Sequence, residues 1–151
     1  MRGLVASVCL VGAACGGGGD GTGPQTSHQM AGTWSYNMPH LQDGHGLTCS
    51  ITGPVLTLTQ QTGAVKFAGQ VNGGIQRCTW AGGADSGYMM TANVLDGAIN
   101  GDSMTFNVLN SLWHNVGEFI TEDSMSGTVN SIYTIGGVQH YIVGYWYSGR
   151  Q

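Results

Sequence analysis

Charge is what this sequence lacks most. Only 8% of its 151 residues are Asp, Glu, Lys or Arg, against about 25% in an ordinary soluble domain. Cations are scarcest: after Arg2 only Lys66, Arg77 and Arg150 are basic, and the formal net charge is −4. Such a chain has no patch with which to neutralise phosphates, which excludes nucleic acid as a partner. It has no polybasic stretch for an anionic membrane surface either. Long apolar runs are missing too. The run Gly3 to Ala14 holds twelve residues, whereas a membrane-spanning helix needs about 20. No segment long enough for a helix repeats its apolar positions at helical spacing. Catalytic signatures are equally absent. Ser86 sits in GGADSG, without the Gly-x-Ser-x-Gly order of a nucleophile elbow. No phosphate loop or dinucleotide fingerprint occurs. The acids Glu118, Glu122 and Asp123 cluster at a predicted loop, where a solvated turn accounts for them. The expectation is a protein without enzymatic activity and without a cofactor.

What the chain has in excess is glycine, 27 residues of it, and its hydrophobic content of 41% is ample for a core. Ser, Thr, Asn and Gln take the positions that charges usually hold. Glycine with β-branched residues disfavours helices and favours strands joined by turns. Three segments resemble one another: FAGQVNGG from Phe67, LDGAINGD from Leu95 and MSGTVNSI from Met125. Asn72-Gly73 and Asn100-Gly101 carry the residues that a two-residue hairpin turn requires. Apolar residues alternate around them, with Val65, Phe67 and Val71 before the first and Met104, Phe106 and Val108 after the second. A period of two buries one face of each strand. Strands are expected near 31–38, 47–60, 63–72, 74–81, 88–100, 102–112, 115–130 and 131–148. Sequential hairpins of that number leave two exposed edges unless the sheet closes. The expected fold is therefore all-β: an antiparallel up-and-down meander closed into a barrel of roughly eight strands. A flattened sandwich is the alternative.

The N-terminal part has a different character. Met1-Arg2, a short apolar core and Ala13-Ala14 are the parts of a secretory signal. With Cys15 next, they resemble the bacterial lipoprotein signal, whose lipobox ends in small residues before a cysteine. The resemblance implies cleavage after Ala14 and acylation of Cys15. Residues 1–14 are then the signal peptide, 15–28 the lipidated cysteine with a glycine-rich tether, and 29–151 the folded domain. Several acyl chains hold a protein on a membrane where one does not. Gly16, not Asp, follows the cysteine, which implies the outer membrane of the cell envelope, with the domain facing the periplasm or the exterior. With Cys9 removed and Cys15 acylated, Cys49 and Cys78 remain for a disulfide in an oxidising compartment. A two-cysteine metal site is the alternative, without the close pairing of zinc motifs.

The ends of the folded part carry a second resemblance. Gly32-Thr33-Trp34 is similar to the Gly-x-Trp that opens the first strand of lipocalins and related avidin-like barrels. Arg150 stands where those barrels carry an arginine across the tryptophan. The resemblance implies that Trp34 and Arg150 close the barrel by a cation–π contact. It also implies a calyx for a small apolar ligand. Phe67, Trp80, Met104 and Phe106 are the candidate lining residues, although core filler explains the same residue types. His40, Asp43 and His45 fall in the first long loop. Two imidazoles and a carboxylate suit zinc or copper, but no metal is expected from loop histidines alone. Small periplasmic protease inhibitors also pair a Gly-x-Trp barrel with an inserted N-terminal arm. Gly16 to Ser27 would be that arm, and a partner protein rather than a small molecule the ligand.

Overall fold

The computed structural model describes residues 28–89, 91–110, 112–135 and 137–151; the signal, Cys15 and the tether up to Ser27 lie outside the described residues. All regular structure within them is β-strand. The strands are β1 (Gly32–Ser35), β2 (Asn37–Gln42), β3 (Thr48–Thr52), β4 (Val55–Gln60), β5 (Lys66–Asn72), β6 (Ile75–Trp80), β7 (Gly83–Tyr88), β8 (Ala92–Asn100), β9 (Ser103–Val108), β10 (Trp113–Thr121), β11 (Ser124–Ile135) and β12 (Val138–Gly149). They form one sheet in the order β1-β4-β5-β8-β9-β10-β11-β12-β2-β3-β6-β7. Every pairing is antiparallel.

The alternation read from the sequence is present. In β9, Met104, Phe106 and Val108 are buried while Ser103 is exposed. In β5, Phe67 and Val71 are buried while Lys66 and Ala68 are exposed. The inward residues of the curled sheet meet in one core around Trp34, Tyr36, Phe106 and Trp146.

Two expectations about the architecture need correction. There are twelve strands rather than eight, and the sheet is a curled half-barrel rather than a closed ring. The reason is a crease. Tyr36 separates β1 from β2, and its N–H donates to the Pro54 carbonyl (2.9 Å) in the gap between β3 and β4. Proline has no N–H to give a ladder. Gly74, in the gap between β5 and β6, has φ +99°, and a Cβ there would lie 2.5 Å from the Pro54 ring. The Gly74 carbonyl in turn accepts from the N–H of Met89 (3.1 Å), which follows β7. Four neighbouring crossings thus break along one line. Below it run β1, β4, β5 and β8; above it run β2, β3, β6 and β7. At the lower end β12 reaches back to β1 through one bridge, Trp34↔Arg150. At the upper end the sheet stops at β7.

The hairpin signals also divide. Asn100-Gly101 turns β8 into β9, with Asn100 opposite Ser103. Asn72-Gly73 makes no hairpin: β5 pairs with β4 and β8, while β6 pairs with β3 and β7. The third similar segment runs unbroken inside β11. What the three share is a glycine under a neighbouring strand. A Cβ at Gly69, Gly97 or Gly127 would come within 2.1 to 2.3 Å of a carbonyl oxygen across the sheet. Residues 83–88, not expected as a strand, form the edge strand β7, and 115–130 is divided by the turn at Glu122-Asp123.

Candidate ligand-binding site

The core is filled by its own side chains. Phe106 lies 6.1 Å from Tyr36, 6.0 Å from Phe67 and 5.5 Å from Trp146, centroid to centroid. Tyr36 is fully buried and donates its hydroxyl to Asn115 Oδ1 (2.6 Å). Burial raises its pKa well above the usual tyrosine value, against the opposing hydrogen bond to Asn115, so the hydroxyl stays neutral. Of the residues proposed to line a calyx, Phe67, Met104 and Phe106 are packed in this core. Phe67 also borders a shallow groove between Thr59 and Ala68. Trp80 alone of that set reaches a cavity at the open end.

That cavity has a volume of about 710 Å³ and lies between three strand connections: β2–β3, β6–β7 and β11–β12. Leu47, Trp80, Ala81, Ile135 and Val138 supply its apolar wall, and Asp43, His45, Asp85 and His140 its polar groups. The size and the mixture suit a small-molecule site.

Asp43 builds the first connection. Its Oδ1 accepts the backbone N–H groups of His45 (2.7 Å) and Leu47 (3.0 Å), and Gly44 and Gly46 supply positive φ, +74° and +105°. An aspartate that binds its own following backbone is the standard device of such a turn. Its Oδ2 meets Nδ1 of His140 (2.9 Å), 97 residues away. The Asp43 side chain is only 4% exposed. The hydrogen bond from His140, with those from His45 and Leu47, outweighs burial and lowers the Asp43 pKa to about 2. At neutral pH the carboxylate is ionised and can only accept. The shared hydrogen therefore sits on His140 Nδ1, which donates to the carboxylate.

Trp80 is held from beneath. A Cβ at Gly83, its cross-strand partner, would lie 2.8 Å from the indole, so only glycine lets the ring lie across the hairpin. Asp85 stands opposite Cys78 on the inner face of β7. Cys49 and Cys78 form the expected disulfide, tying β3 to β6. It fixes the strands that carry the Asp43 turn and Trp80.

No family model, no curated protein and no solved structure matches this chain.

The mouth is thus known only by its own residues. Asp43 and His45 lie on it, whereas His40 is on the outer face, its Nε2 3.3 Å from Gln42 Oε1. Among the described residues no group of three His, Cys, Asp or Glu side chains is placed to hold a metal. Sequence reasoning missed His140 and Asp85. The partner of Asp43 is distant in sequence, and Asp85 lies in a segment without apolar alternation. Trp34 and Arg150 belong to the opposite end. The guanidinium lies 4.1 Å above the indole and donates to the carbonyls of Gln29 and Ala31 and to Asp123.

Proposed function

We propose that this is a lipid-anchored, non-enzymatic protein of the bacterial cell envelope that binds a small, largely apolar ligand in the mouth of its half-barrel. The observation that carries the reading is the 710 Å³ cavity walled by Leu47, Trp80, Ile135 and Val138, set against a core that is already full. Binding at the mouth replaces the calyx implied by the lipocalin resemblance. Membrane attachment rests on the lipobox at Cys15. The orientation of the domain is consistent with it. His28 stacks on Phe119 (3.9 Å between centroids) and bonds Asp102 (2.8 Å), both at the end opposite the mouth. A tether joined there presents the cavity away from an outer membrane, toward the periplasm or the exterior.

Trp80 makes the test direct. The other tryptophans, Trp34, Trp113 and Trp146, are buried, so ligand-dependent quenching reports on the mouth. A solvatochromic dye titrated into the purified protein is expected to bind once per chain, and Trp80→Ala to weaken it about ten-fold. A wild-type protein that takes up no dye overturns the reading. For the anchor, mass spectrometry of protein from bacterial membranes is expected to find acylated Cys15; an unmodified N-terminus at another residue refutes it.

One observation favours a partner protein instead. The outer face of β12 carries Tyr141, Val143, Tyr145 and Tyr147, each at least half exposed. Exposed tyrosines in a row are interface material. The N-terminal arm of the inhibitor reading, Gly16 to Ser27, lies outside the described residues. On this reading, Tyr145→Ser abolishes capture of a partner and leaves dye binding intact.

A further inference from the structure

We infer that the mouth selects ligands that carry a protonated or quaternary amine on their apolar body, an inference that rests on the mouth being a ligand site. Its polar groups point to this choice. Two carboxylates, Asp43 and Asp85, line it together with two imidazoles, and no Lys or Arg does. The basic side chains among the described residues are elsewhere. Lys66 is at the lower end, at the start of β5. Arg77 is exposed on the face of β6 opposite buried Cys78 and borders a shallow groove shared with Asp85, outside the mouth and without an ion pair to it, and Arg150 is engaged by Trp34 and Asp123.

The two carboxylates have different duties. Asp43 is saturated by His45, Leu47 and His140. Its effect on a ligand passes through His140, whose Nδ1 donates to it, so that a ring holding a single hydrogen offers Nε2 as an acceptor for an N–H donor. Asp85 makes no ion pair among the described residues. It stands on the inner face of an edge strand, beside the wall that holds Trp80. An indole ring near a carboxylate, with an imidazole acceptor, is the surrounding that an alkylammonium group meets favourably. A ligand carboxylate would face two carboxylates and no Lys or Arg.

Three probes with one bicyclic body separate the possibilities: naphthylmethylamine, naphthylmethanol and naphthoate, titrated by calorimetry into the purified protein near neutral pH. The amine is expected to bind about ten-fold more tightly than the alcohol, and naphthoate most weakly. Asp85→Asn is expected to bring the amine to within about two-fold of the alcohol, and Asp85→Glu to restore the preference. Equal binding of amine and alcohol by the wild type overturns charge selection and leaves the site standing. Binding of none of the three overturns the site itself, and charge selection with it. Asp85 is exposed, so its replacement by Asn leaves the core untouched; circular dichroism of the variant checks this.

Discussion

Asp43 decides which nitrogen of His140 carries a proton. Asn at position 43 keeps an acceptor for His45 and Leu47 but turns an N–H toward Nδ1 of the ring. In Asp43→Asn a His140 ring holding one hydrogen is expected to carry it on Nε2 rather than Nδ1, a change that nitrogen NMR of the ring reads directly. The carboxylate itself titrates late. Its folded pKa, about 2, lies below the ordinary 3.8, so its contribution to stability is complete above the ordinary value and is lost as pH falls through the lower one. The backbone amides of His45 and Leu47 are expected to shift with that low midpoint; a midpoint at the ordinary carboxylate value contradicts the hydrogen-bonded turn. Glycines offer a second contrast at this scale. A Cβ on Gly127 would stand 2.1 Å from the Val116 oxygen, whereas one on Gly87 meets nothing within 4 Å. Gly127→Ala is expected to destabilise by about 3 kcal/mol or more, and Gly87→Ala by less than about 0.5 kcal/mol, in urea denaturation.

Between strands, the Cys49–Cys78 bond joins β3 and β6 across a separation of 29 residues. Closing a loop of that length is worth about 3–4 kcal/mol in the chain-entropy account. The paired change Cys49→Ser and Cys78→Ser is expected to lower stability by that amount, and to loosen the mouth more than the lower end in hydrogen exchange. Much at this scale was legible in the sequence. Alternation identified β5 and β9 as strands with one buried face, and Asn100-Gly101 identified the turn from β8 into β9, because both signals are local. The crease was not legible. It arises where Tyr36, Pro54, Gly74 and Met89 come side by side, and each looks ordinary in its own neighbourhood. Asn72-Gly73 misled for the same reason. Gly73 and Gly74 have the positive φ of a turn, but the strands around them already have other partners. The site was half legible: Asp43, His45 and Trp80 stood out by residue type, whereas His140 and Asp85 depend on pairings that only the folded sheet supplies.

Across the whole molecule the two ends of the sheet do different work. The lower end fastens the chain. Arg150 bonds Gln29, Ala31 and Asp123, and the last residue, Gln151, donates its N–H to Thr33 (2.9 Å). Arg150→Ala is expected to lower stability by about 1–2 kcal/mol without changing dye affinity at the mouth. A loss of affinity at unchanged stability would place the ligand at the wrong end.

Strand β7 has consequences of its own. It is exposed along its whole length, and neither lysine nor proline interrupts its free backbone. Asp85 is its one charge, turned inward, and a charge in that position discourages a second copy from lining up alongside. Neutralising it removes the guard. Sedimentation of Asp85→Asn at rising concentration should therefore reveal more pairing of molecules than the parent protein shows under the same conditions.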